Sequence, residues 1–238
     1  MSRRLVARSP SADRRRPRGR SRRDGDTRAR LLEAARALFP EHGFDGVTVR
    51  DICREANASL ALVNYHFGDK LGLYEEVVNE AIRLIRNFNE ETMRAPAGSS
   101  AEEQLGYFVR AFVGRMLRPA ESETWVHNLM EHEIRRPTAA SARIGRHAIA
   151  PRIRYLAGVI GELLAKPPHD LLVLQCVGSV HGLCLIYARM REMPESLRAA
   201  ISEKPWTVDV DSAAEHVLAF SLAGIRAIRS GEDDHEAR

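Results

Sequence analysis

The sequence predicts an all-α protein, with a small N-terminal helical unit followed by a larger helical bundle. Three observations carry this. Beyond Asp24, apolar residues recur at three- and four-residue steps almost throughout. No stretch shows the sustained alternation of apolar and polar residues that a sheet needs. Segments with Pro, Gly and Ser fall between the periodic runs rather than inside them. At 238 residues, 44% hydrophobic and 29% charged, the chain is long enough to bury a substantial core.

The first segment stands apart. Residues 1–23 carry ten arginines against one acid, Asp13, a net of +9, so the remaining 215 residues sum to −5. With few apolar residues to bury, this arm is expected to be disordered. It lacks the apolar stretch of a secretion signal and the amphipathic stripe of a transit peptide. A nucleic-acid-binding arm and an over-extended start are both open readings.

Next comes a helix carrying Leu31, Leu32, Ala35, Leu38 and Phe39, expected to start at Asp26 or Thr27 and to end at Gly43. Thr48 caps a short second helix that turns Val49, Ile52 and Ala56 inward. Asn57 and Ala58 form a tight turn, and Ser59 caps a third helix running to Phe67. After the Gly68-Asp69 break, Lys70 opens a long fourth helix to about Arg94. The stretch "RAPAGSS" is a linker. Further helices are expected at about 101–117, 123–134, 138–165, 169–191 and 210–229, separated by "RPAESE", "RRPT", "KPP" and "MPESLRAAISEKPWTVD". The domains read as 24–75 and 76–230, with a disordered tail at 231–238. Cys53, Cys176 and Cys184 sit in apolar patterns and read as core residues, in keeping with a reducing cytoplasm.

Two short helices joined by a tight turn form a helix-turn-helix. The first braces the second, which lies in a DNA major groove. The stretch "TRARLLEAARALFPEHGFDGVTVRDICREANASLALVNYHFGDKLGLYEEVV", residues 27–78, resembles the DNA-binding domain of TetR/AcrR-type transcriptional regulators. The likeness rests on "A..LF...G", on "T" with "I...A", and on "YHF..K..L", all in register. It implies a homodimeric regulator, partnered by a double-stranded DNA operator, whose C-terminal bundle binds a small-molecule effector. Leu60, Ala61 and Leu62 match positions that read bases, where methyl groups meet thymine methyls. Tyr65 and His66 match positions that touch the DNA backbone, and Asn64 can bond an adenine edge or a phosphate. Ser59 belongs to the same DNA-facing start of the helix. Thr48 is expected to bond a phosphate or its own helix N-terminus, and Arg50 to reach a phosphate. Lys70 adds charge where a helix dipole already favours phosphate. Val63 and Phe67 pack inward. Asn57 stands in place of the usual turn glycine, Ala61 in place of a helix glycine, and Asn64 in place of a tyrosine. These departures leave the operator sequence unspecified. Residues 24–75 hold six basic and nine acidic side chains, so the basic arm is the expected source of the electrostatic attraction to DNA.

The segments "MEHEIRRPTAA" and "IAPRI" resemble the CerR/YbiH-like C-terminal domain of the same superfamily. On the last two long helices, Gly178, Ser179 and Gly182, with Ala214, Ser221 and Gly224, suit close helix approach. Leu174, Leu185, Val217, Leu218, Leu222 and Ile225 are expected beside them, in a two-fold four-helix interface or inside the monomer. Candidate effector contacts are Phe108, Phe112, Met116, Trp125, Leu129, Met130, Tyr155, Cys176 and Tyr187, with His127, Gln175 and His181 as polar partners. His127, Glu131 and His132 lie close on one helix and read as surface hydrogen bonding rather than a metal site.

No dinucleotide fingerprint, phosphate loop, nucleophile elbow or zinc motif occurs, so no catalytic residue, cofactor or metal is expected. No apolar run reaches membrane-spanning length. The leading reading is a cytoplasmic repressor released from its operator by a ligand. The alternative is a ligand-independent activator or nucleoid-type DNA binder on the same scaffold.

Overall fold

The computed structural model describes residues 18–118, 124–201 and 209–236. Among them are eleven α-helices, one π-helical segment and no strand. The N-terminal unit is α1 (Arg18–Gly46), α2 (Val49–Glu55), α3 (Leu60–Phe67) and the first half of α4 (Lys70–Thr92). The remainder comprises α5 (Ala101–Leu117), α6 (Thr124–Arg135), α7 (Ser141–Ile144), the π-helical segment Gly145–Ile149 and α8 (Ala150–Leu164). After these come α9 (Leu171–Glu192), α10 (Glu195–Ile201) and α11 (Val210–Glu236).

Most expected elements are present, and the differences have local causes. The first helix begins at Arg18, just after Pro17, rather than at Asp26 or Thr27. Residues 18–23 of the expected arm are therefore helical, and residues 1–17 lie outside the described residues. The helix breaks at Gly43 as expected, where φ is 73°. A Cβ on Gly43 would sit 3.0 Å from the His132 ring, so α6 also needs this glycine. The single helix expected over 138–165 is divided, since Pro151 in the first turn of α8 cannot donate to a carbonyl one turn back. Short α10 arises inside an expected breaker. It starts after Pro194, is held by an Arg198–Glu195 ion pair and buries no residue. The last helix extends to Glu236, into the expected tail.

There are two cores, and α4 runs through both. Leu73, Tyr74, Val77, Val78 and Ala81 belong to the N-terminal core with Leu31, Phe39, Ile52 and Val63. Phe88 belongs to the C-terminal core, built by α5, α8, α9 and α11. Helix α6 departs from the sequence reading. It packs on α1, and its Val126 and Leu129 are buried in the N-terminal core. The Arg36 guanidinium covers the Trp125 ring at 5.9 Å.

A buried carboxylate ties α4 to α6 and α7. Glu133, 5% exposed, accepts from Tyr74 Oη at 2.5 Å, from Thr138 Oγ1 at 2.7 Å and from the Ser141 hydroxyl. Burial alone would raise this carboxyl. The hydrogen bonds from Ser141, Tyr74 and Thr138 outweigh it and hold it below the ordinary glutamate value of 4.5. A carboxyl depressed in the folded state stabilises fully above that range and loses its contribution as pH falls through the folded value. Glu133→Gln is therefore expected to lower the melting temperature at neutral pH, at a cost of about 1–3 kcal/mol. The gap to wild type should narrow below pH 4.5, which thermal unfolding at a series of pH values checks.

Candidate nucleic-acid interface and effector core

Helix α3 is short and is fixed by few contacts. Val63 is fully buried, and Leu62 and Phe67 are half-buried against the N-terminal core. The Arg28 guanidinium lies 5.1 Å from the Phe67 ring centroid. On the opposite side Ser59, Leu60, Ala61, Asn64 and Tyr65 form one exposed row, with Leu60 51% and Tyr65 73% exposed. This row follows helical spacing, so one anchor on the inner face presents all of it. Asn57 holds the turn from α2 with φ of 47°, the left-handed conformation that asparagine tolerates.

Two expected DNA contacts face elsewhere. Leu62 is half-buried against the N-terminal core. His66 is half-buried and forms edge contacts with the Tyr65 and Phe67 rings, and its Nε2 is buried without a partner. Thr48 caps its own helix. Its backbone and side chain exchange hydrogen bonds with Asp51 in a capping box, and these bonds lower the Asp51 pKa. Arg50 is exposed beside it. Lys70 begins α4 with its ammonium 4.2 Å from the Phe44 ring centroid. Other basic residues of the unit are engaged internally: Arg28 with Glu76, Arg36 with Glu80, and Arg54 with Asp51.

The expected effector residues separate into two groups. Phe108, Phe112, Met116, Tyr155, Cys176, Tyr187 and His181 gather in or against the C-terminal core. Trp125, Leu129 and Met130 do not, because the apolar stripe of α6 is occupied by α1. His127, also on α6, lies 3.4 Å from Glu131, whose carboxylate pairs with Arg135 and with Arg189 of α9. Gln175 is exposed, and its side chain lies on the outer face of α9. The expected interface residues divide in the same way. Ala214, Val217, Leu218, Ser221 and Ile225 are buried within the monomer. Leu174, Gly178, Ser179 and Gly182 are exposed on α9, as is Gly224 on α11. Sequence reasoning missed two buried polar residues beside the C-terminal core, Arg152 and Asn89. The available signal was a charge on the inward stripe of α8, with Ala148 four residues before Arg152 and Leu156 four after.

Residues 31–77 match the model of bacterial regulatory proteins of the tetR family. Residues 101–225 match the C-terminal domain of the HTH-type transcriptional dual regulator CecR. The chain belongs to the TetR family of transcriptional regulators. It is 28% identical over 135 residues to the HTH-type transcriptional repressor AcnR of Corynebacterium efficiens, covering 54% of this chain and 70% of that one. It is 23% identical over 187 residues to the regulator BetI of Cronobacter sakazakii, covering 76% and 83%. In fold it resembles the ketosteroid transcriptional regulator KstR2 of Mycobacterium tuberculosis, with a TM-score of 0.57 at 17% identity over 83% and 93% of the two chains. As a TetR-family member it is a DNA-binding transcriptional regulator, and its relatives are regulators rather than enzymes. No helix among the described residues is long and apolar enough to cross a membrane.

The seat of α3 depends on Gly72 as well as on Val63. A Cβ at Gly72 would lie 2.0 Å from the Phe67 carbonyl oxygen, so any side chain there pushes the end of α3 outward. Gly72→Ala is expected to destabilise the N-terminal unit by about 1–3 kcal/mol. Asn57→Gly should leave stability within about 1 kcal/mol of wild type, since glycine also adopts the left-handed turn. Denaturant unfolding of both variants checks the contrast.

Proposed function

We propose that the protein is a homodimeric repressor that leaves its operator when a small molecule enters the C-terminal core. The observation carrying this reading is α3, which holds Val63 buried and Leu60, Ala61, Asn64 and Tyr65 in one exposed row. Leu60, Ala61 and Asn64 meet base edges, while Ser59 and Tyr65 bond phosphates. Arg50 and Lys70 lie at the flanks and add phosphate contacts. Thr48 fixes the start of α2, and Leu62 and His66 support the row from behind.

Dimerisation uses the exposed outer face of the C-terminal unit. Leu171, Leu174 and Ile186 are exposed on α9, with Gly178 and Gly182 between them, and Phe220 is exposed on α11 beside Gly224. Contacts of Tyr187 with His216 and of His216 with Phe220 join the two helices into one surface. A two-fold contact here sets the two α3 helices about 34–36 Å apart, in successive major grooves. Among the relatives, AcnR is named a repressor, which favours repression over activation. Such a protein acts on the chromosome in the cytoplasm.

A gel shift with DNA from beside the protein's own gene tests the reading. Specific binding that a small molecule abolishes supports it. Specific binding indifferent to every ligand favours the ligand-independent alternative, and no specific binding refutes both. Tyr65→Ala is expected to weaken binding about tenfold, for a lost phosphate contact and its packing, with an unchanged melting temperature. Phe220→Glu is expected to yield monomers by light scattering. The reading unit, residues 24–75, is net −3, so the arginine-rich residues 1–23, net +9, contribute much of the attraction to DNA. Deleting them should flatten the dependence of affinity on salt by several units of slope. An unchanged slope excludes that role.

A further inference from the structure

Arg152 is 9% exposed, and no carboxylate pairs with it among the described residues. A buried guanidinium without a counterion is costly and calls for an explanation. What surrounds it is specific. Its Nη1 donates to Asn89 Oδ1 at 3.3 Å, and its Cζ lies 4.9 Å from the Phe112 ring centroid. Asn89, itself 2% exposed, donates in turn to the Ala148 carbonyl at 2.7 Å, inside the π-helical segment just before Arg152. On α9 the His181 ring stands 5.4 Å from Phe112. Arg152 Nε, His181 Nε2 and Tyr155 Oη are all buried without a hydrogen-bond partner. Helices α8 and α9 thus place three unmatched polar groups beside an aromatic core that α4 and α5 supply.

We propose that this cluster is the anion-binding end of the effector site and that the effector is an organic acid, a carboxylate on an apolar body. The proposal rests on the ligand-responsive reading above and deepens it. The carboxylate pairs with Arg152 and accepts from Tyr155 Oη and from the N–H of His181. The apolar body displaces the packing of Phe108, Phe112 and Phe88, whose rings contact one another at 5.2–5.4 Å. A carboxylate suits the site better than a cation or a neutral group, because the groups left unmatched include a fixed positive charge and two groups able to donate. Burial and the nearby Arg152 push His181 down to about 4, so at neutral pH it is an uncharged ring able to donate one hydrogen bond. Burial lowers Arg152 itself to about 10, and it stays charged. Since Arg152 and the rings of Phe88, Phe108 and Phe112 are buried, entry of the body must move α8 or α9 against α4, and α4 leads to the reading head.

The test uses the full chain and millimolar benzoate, phenylacetate and decanoate, each beside its uncharged amide, read by thermal shift and calorimetry. The expected result is stabilisation by at least one acid and none by its amide. Binding of that acid should weaken roughly ten- to a hundredfold in Arg152→Met and a few-fold in Tyr155→Phe. Should Arg152→Met fail to fold, Tyr155→Phe and the acid-against-amide comparison decide. No stabilisation by any acid, or equal stabilisation by acid and amide, overturns the proposal. If an acid binds through Arg152 but leaves operator binding unchanged, the site stands and the release model fails. If a neutral compound releases the operator while no acid binds, the release model stands and this site fails.

Discussion

The buried Glu133 carboxylate is the constraint on which the arrangement depends. It takes hydrogen bonds from Tyr74 on α4, from Thr138 in the following loop and from Ser141 at the start of α7. A buried carboxylate left without these donors would be expensive, so α4, α6 and α7 must remain in register for it to stay. The same helix α6 lays Val126 and Leu129 into the N-terminal core and sets His132 against Gly43. Downstream it meets α9 through the Glu131–Arg189 pair. A movement of α9 or of the second half of α4 therefore reaches the elements that carry α3. In the proposed release model these contacts are the physical route of the coupling.

The reading head divides its labour. Arg28, Arg36 and Arg54 of α1 and α2 are spent on internal ion pairs, which fix the frame at some loss of charge offered to DNA. What α3 offers is shape: methyl groups, an amide and a phenol on one row. Such a surface gives base contact and fit but little counterion release. In the proposal above, the arginine-rich start of the chain is the complementary component, and it lies largely outside the described residues.

Much of this was legible in the sequence. The helices of the N-terminal unit, the cap at Thr48 and the left-handed Asn57 follow from local chemistry that short windows expose, whereas Ser59 stands at the start of α3 without a capping bond from its side chain. The row on α3 follows from helical spacing, once Val63 is taken as the anchor. Helix α6 was misplaced because periodicity reveals an apolar stripe but not the partner that covers it. Leu62 and His66 are half-buried rather than on the exposed row, because family position does not state how far an eight-residue helix is rotated into its core. Arg152 was missed because an arginine on an apolar stripe reads as a surface residue until its neighbours from three other helices are known.

The central claim is that α6 belongs to the N-terminal DNA-reading unit and not to the C-terminal core. Native-state hydrogen exchange tests it most directly, because cooperative units open together. The account predicts that α6 amides exchange with the same opening free energy as α1 and the first half of α4, and that Glu133→Gln lowers all three in step while α5 and α11 keep their protection. Exchange of α6 in step with α5 and α11, and independent of α1, would contradict it.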